Sequence, residues 1–229
     1  DISPLAGLTE LRELDFNDNA VEDISPLAEM TWLHTLSFDR NQVSDITPLE
    51  GLTRLTTLTF AYNAVCDISS LEGLTELRLL SFTGNEVSDI SPLTGLTELE
   101  HLLFAGNDVV DISPLAGLTQ LSSLFMGSNQ VSDITPLGSL TGLRDVHLSG
   151  NQIEDITPLE HLVNLEWLML GWNKITDISP LVRNAGLGEG YELDLRNNYL
   201  DLSPESQNMR DIQALQDRGV VVTYTPQSI

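Results

Sequence analysis

Residues 1–22 read DISPLAGLTELRELDFNDNAVE, and this stretch decides the fold. Leu14-Asp15-Phe16 alternates with a strand's period of two, whereas Leu5, Leu8 and Leu11 fall three apart, the spacing of tight helical turns. A short strand followed by a turning return segment is therefore predicted within 22 residues. The dipeptide Asp-Ile that opens the stretch recurs at 1, 23, 45, 67, 89, 111, 133, 155 and 177, always 22 residues on. One unit is written nine times, with the pattern D-I-[ST]-P-L-x-x-L-T-x-L-x-x-L-x-F-x-x-N-x-V-x.

Ser or Thr before Pro, as in Ser3-Pro4 and Thr47-Pro48, predicts an N-cap oxygen followed by a first helical residue whose missing N–H costs nothing. One such unit cannot bury its own leucines, but stacked copies share a continuous core. The expected fold is an α/β solenoid: a parallel β-sheet on the concave face of an arc, with short 3₁₀ or helical turns on the convex face. The repeats occupy residues 1–200, the ninth lengthened through VRNAGLGEGYELDLRNNYL. Residues 201–229 read as a C-terminal cap, with a helix near 204–218 started by Ser203 and Pro204 and stopped by Gly219, then an edge strand near 220–224.

These patterns resemble a known family. L-x-x-L-x-L-x-x-N-x-[IV] is the leucine-rich-repeat motif, and VSDITPLEGLTRL (43–55) and VSDISPLTGLTEL (87–99) are similar to the 22-residue class of bacterial internalins and of the regulatory repeat subunit of type-1 protein phosphatase. The resemblance implies a protein partner on the concave face and a bacterial setting, secreted or at the cell surface rather than cytoplasmic. Internalins carry a helical cap before the repeats, whereas this sequence opens on a repeat boundary at Asp1. An exposed edge around Glu13–Phe16 and a polypeptide extending upstream are accordingly expected.

Composition narrows the function further. Thirty-four acidic against 10 basic residues, Lys174 the one lysine, give a formal charge of −24, which repels nucleic acid and anionic membrane surfaces. The 41% hydrophobic content is that of a globular chain, and no apolar run approaches the length of a membrane span. A single cysteine, Cys66, leaves the fold to packing alone. His34, His101, His147 and His161 are not spaced as ligands, no nucleophile elbow occurs, and the glycines at 186–190 lack the preceding strand of a nucleotide-binding loop. Neither an enzyme nor a cofactor is expected.

Two polar ladders accompany the leucines. The asparagines at 19, 41, 63, 85, 107, 129, 151, 173 and 198 follow each strand, where an amide can satisfy turn backbone. The nine Asp residues opening the repeats stack at about the 4.8 Å strand spacing. They are read as Asx bonds to nearby N–H groups rather than as calcium sites, since Ile and Pro beside them offer no oxygen ligands.

The positions between the core leucines must point out of the sheet, and they vary freely. One column reads Glu13, Thr35, Thr57, Leu79, His101, Ser123, Asp145, Trp167 and Glu192; the next reads Asp15, Ser37, Thr59, Ser81, Leu103, Phe125, His147, Met169 and Asp194. A third column is small in its middle, with Tyr62 and Trp172 one position later at the rim. Tyr62, Leu79, His101, Leu103, Phe125, Trp167, Met169 and Trp172 are thus the candidate surface for a protein or peptide partner. The function expected is a non-enzymatic recognition module. The alternatives are a spacer solenoid in a larger bacterial surface protein and an intracellular regulatory subunit docking on an enzyme.

Overall fold

A computed structural model describes residues 1–228. The chain divides into two compact units, Asp1–Val109 and Val110–Ile229, each a leucine-rich-repeat solenoid. In the first unit the strands are β1 (Glu13–Asp15), β2 (Thr35–Ser37), β3 (Thr57–Thr59), β4 (Leu79–Ser81) and β5 (His101–Leu103). They pair in parallel with residue i against i+22: Glu13 faces Thr35, then Thr57, Leu79 and His101. A 3₁₀ turn such as Ser25–Leu27 or Thr47–Leu49 precedes each strand.

The second unit repeats the arrangement with β6 (Ser123–Phe125), β7 (Asp145–His147), β8 (Trp167–Met169), β9 (Glu192–Asp194) and β10 (Val221–Thr223), again all parallel. Its 3₁₀ turns run Ser113–Gly117, Thr135–Ser139 and Thr157–His161, and a five-residue helix α1 (Ser179–Arg183) takes the place of the next one. The lengthened repeat brings Trp167 opposite Glu192, three residues beyond the regular period.

Helix α2 (Gln207–Asp217) begins three residues after the Ser203–Pro204 signature predicts. Ser206 is its cap, the hydroxyl accepting the Met209 N–H at 3.1 Å. Ser203 lies instead in a turn, its N–H donating to Asp201 and its carbonyl accepting from Ser206. At the far end Gly219 takes φ +89°, the Val220 N–H reaches the Leu215 carbonyl and the Gly219 N–H that of Gln216, a Schellman stop.

The capping of the 3₁₀ turns also differs from the expectation. Ser or Thr is the first turn residue and caps nothing; the Asp two positions earlier accepts its N–H, at 2.8 Å in Ser25–Asp23, Thr47–Asp45 and Thr157–Asp155. The same bond recurs at all nine Asp-Ile sites. A carboxylate reaches the first orphan N–H of so short a turn, whereas the hydroxyl of a residue already inside it cannot.

In both units the repeat leucines, isoleucines and valines are packed away from water. The first repeat is the exception: Leu14 and Phe16 are half-buried and Leu8 is exposed, since one repeat alone packs on them. Inside the first unit Phe16, Phe38, Phe60, Phe82 and Phe104 stack with successive centroids 5.6–5.8 Å apart. The ladder asparagines bind neighbouring repeats together. Asn85 Nδ2 donates to the carbonyls of Phe60 (3.0 Å) and Phe82 (2.9 Å), and its Oδ1 accepts the Val65 N–H (3.0 Å).

Candidate functional site

Because each strand is only three residues long, its first and third side chains stand on the sheet face and the second enters the core. In β6, β7 and β8 this puts Phe125, His147, Trp167 and Met169 outside, all half-buried. Phe125 lies beside His147 and His147 beside Met169 by strand register. Trp167 belongs to the neighbouring column, yet its ring leans across to them. Its centroid is 5.6 Å from Phe125 and 5.8 Å from His147, and Phe125 meets His147 edge-on at 6.3 Å. Three rings thus share one cluster, in geometries favourable for aromatic pairs.

The imidazole packs close to the backbone of residue 127 because that residue is glycine: a Cβ there would sit 3.1 Å from His147 Cε1. Burial against the rings pushes the His147 pKa down, with the Asp194 charge opposing. Burial would raise the Asp194 carboxyl, but hydrogen bonds from Arg196 outweigh it and leave Asp194 low. That pair is bidentate, Nε to Oδ1 at 3.0 Å and Nη2 to Oδ2 at 2.8 Å. A Cβ at Gly171 would stand 3.2 Å from the Arg196 carbonyl oxygen and 3.4 Å from Asp194 Oδ2, so the neighbouring strand already packs closely against this position.

Register places Asp145 and Glu192 on either side of Trp167. Glu192 is exposed and Asp145 half-buried, with Ser123 Oγ 3.4 Å from Asp145 Oδ2. Met169, Asp194, Arg196 and Val221 line a shallow depression next to the cluster.

Trp172 does not join the rings. It is 67% exposed and, like Tyr62 at 54%, holds a left-handed backbone, φ +59° and +56°. The residue before each ladder Asn adopts this conformation, as Arg40, Gly84, Gly106, Ser128 and Gly150 also do. The twist aims its N–H at the next repeat: Tyr62 donates to Thr83 O (2.7 Å) and Trp172 to Arg196 O (2.8 Å). For a bulky residue the conformation costs about 1 kcal/mol or more. Tyr62 covers Gly84, and the Arg40 guanidinium lies 5.4 Å from its ring centroid.

The other candidates lie in the first unit. Leu79 pairs with His101 on adjacent strands, Leu103 stands on the same face beside Ser81, and all three candidates are half-buried. Polar ladders occupy the rest of that face. Ser37 bonds Thr59 (2.7 Å) and Asn17 (2.8 Å), and the Ala61 N–H donates to Asp39 (2.7 Å). Sequence reasoning left out His147, Asp145, Asp194 and Arg196. Their place in the columns beside Trp167 and Met169 was the available signal.

Each repeat-opening Asp already accepts a backbone N–H, and those bonds hold the pKa values of Asp23, Asp67 and Asp89 below the usual carboxylate range. Among the described residues no group of three or more His, Cys, Asp or Glu is placed to hold a metal ion. No helix among them is long and apolar enough to cross a membrane.

Comparison with known proteins agrees with this geometry. The model for Leucine Rich repeats (2 copies) matches residues 97–139 and 119–161. An internalin (inlF) from Listeria monocytogenes is 36% identical over 99% of this chain, with a TM-score of 0.89; the chain spans 66% of its length. An internalin C2 (inlC2) from the same organism is 34% identical over 83% of this chain and 80% of its own, with a TM-score of 0.74. At 21% identity the ectodomain of the Arabidopsis thaliana receptor kinase GASSHO1/SCHENGEN3 shares the fold, with a TM-score of 0.80 over 96% of this chain and 27% of its own. No curated protein matches the sequence significantly. The chain is a leucine-rich-repeat protein, and its repeats are similar to those of the internalins.

Proposed function

We propose that this chain is a non-enzymatic recognition module that binds a protein or peptide through the exposed face of its sheet. The observation that carries the reading is the Phe125–His147–Trp167 cluster, three rings held half-exposed on short rigid strands. A few residues carry most of the binding energy of an interface, and Trp is among the types enriched at those positions. Met169 extends this candidate surface in the second unit, with Trp172 at its rim; in the first unit Leu79, His101 and Leu103 form a candidate surface of their own, with Tyr62 at its rim. The structurally similar plant receptor kinase was solved in complex with CASPARIAN STRIP INTEGRITY FACTOR 2, so a ligand on this fold has precedent. The internalin likeness supports reading the module as part of a bacterial protein, secreted or at the cell surface, and the reading includes repeats over 1–200 with a capping segment after them.

Panning a random peptide library against the wild type and Trp167→Ala/Met169→Ala tests this. Peptides enriched on the wild type are expected to lose binding to the double variant, while its thermal unfolding midpoint stays close to wild type. Equal enrichment on both proteins sinks the reading in favour of a spacer solenoid.

A further inference from the structure

The surroundings of Trp167 say what kind of side chain fits there. On its two flanking strands stand Asp145 and Glu192, in register with it. Among the described residues neither carboxylate forms an ion pair, and the arginines next to them in sequence or on the same face are paired elsewhere. Arg144 pairs with Glu166 and Arg196 with Asp194. The chain has only 10 basic residues to set against 34 acidic ones. The strand that carries Trp167 is thus flanked in register by two carboxylate-bearing residues, while the indole itself leans toward the Phe125 and His147 rings.

A purely apolar side chain seated on Trp167 would desolvate Asp145 and Glu192 and give them nothing in return. An acidic one would be repelled. A guanidinium satisfies every group present: its plane stacks on the indole, and its fork of N–H donors reaches carboxylates at the rim. An ammonium supplies the charge without the stacking plane. Burial of His147 favours its neutral form, and the Arg196 guanidinium in the depression beside the cluster is already paired with Asp194.

We propose that the partner segment carries an arginine whose guanidinium stacks on the Trp167 indole and meets the carboxylates of Asp145 and Glu192 on the adjacent strands, which rests on the sheet-face binding proposed above. The net charge of −24 steers such a segment toward the protein.

The test pans the random peptide library, at physiological salt, on wild type, Trp167→Ala, Trp167→Phe and Asp145→Asn/Glu192→Gln. Expected are arginine-containing families, retained by Trp167→Phe and lost by Trp167→Ala. Replacing that arginine by neutral citrulline should weaken binding to wild type roughly tenfold and to the Asn/Gln variant hardly at all. Trp167-dependent families without arginine would overturn the arginine while leaving the binding face in place. Arginine selection that persists on the Asn/Gln variant would assign the effect to bulk acidity and overturn it too. Families indifferent to Trp167→Ala, or no enriched family, would defeat both readings. Unfolding midpoints of all variants separate lost binding from lost folding.

Discussion

The two units spend their aromatic rings in opposite ways. In the first, five phenylalanines stack inside the solenoid while the sheet face carries Thr35, Ser37, Thr57 and Thr59, with a hydroxyl bond between Ser37 and Thr59. In the second, the same core position is filled by Met126, Leu148, Leu170 and Leu195, and the rings of Phe125 and Trp167 stand outside. The core asks only for apolar volume at that position, so Phe, Met and Leu all serve. The sheet face is asked for nothing by the fold, so its side chains differ between units according to what they must touch.

Removing an inside ring should have the largest effect. Phe60→Ala, which takes away a fully buried ring between Phe38 and Phe82, is expected to cost about 3–5 kcal/mol in denaturant unfolding. Phe125→Ala, outside, should cost below about 1 kcal/mol; equal losses would erase the contrast.

The ladder asparagines supply the opposite control, a feature the units share. Asn85→Ala and Asn151→Ala each orphan buried backbone groups, with amide-to-carbonyl distances of 2.9–3.0 Å at both sites. Both should lose about 2–4 kcal/mol. A clear difference between them would show that one unit leans on its ladder more than the other.

A smaller effect distinguishes the two bulky left-handed residues. Trp172→Gly should stabilise the protein by up to about 1 kcal/mol by relieving φ +59°. Tyr62→Gly should gain less, since it also gives up the contacts with Gly84 and Arg40. Thermal unfolding in parallel checks the order.

The smallest effect is in pH. The hydrogen-bonded carboxylates at Asp23, Asp45, Asp67 and Asp89 in the first unit, and at Asp133 and Asp155 in the second, have folded pKa values below 3.8. Their stabilisation is complete well above 3.8 and is lost as pH falls through the folded values, alike in both units. His147, in the second unit, also has a folded pKa below its ordinary 6.5. The neutral ring is the favoured form, so its contribution is present above 6.5 and fades as pH falls through the folded value. An NMR titration should put the His147 midpoint below 6.5; a midpoint above it would mean that Asp194, not burial, governs the ring.

Much of this was legible because a 22-residue repeat reports each position many times over. Leu36, Leu58 and Leu80 could be assigned to the core and Thr35, Thr57 and Leu79 to the face from alternation alone. Less legible was whatever depends on reach. Asp, not Ser or Thr, takes the first N–H of each return segment, because that N–H belongs to the Ser or Thr itself and its own hydroxyl cannot cap it. Helix α2 starts late for a related reason: Asp201 draws Ser203 into a turn of its own.

The sequence by itself determined the solenoid, the leucine core and the asparagine ladder, since each follows from a local period repeated until its average is unmistakable. Only the tertiary structure decided that Trp167 leans out of its column onto Phe125 and His147, that Asp194 takes up Arg196 in a bidentate pair, and that Tyr62 and Trp172 take left-handed backbones. Those outcomes depend on which atoms three neighbouring strands bring within a few ångströms, and side chains from different repeats settle that together, outside any single repeat's pattern.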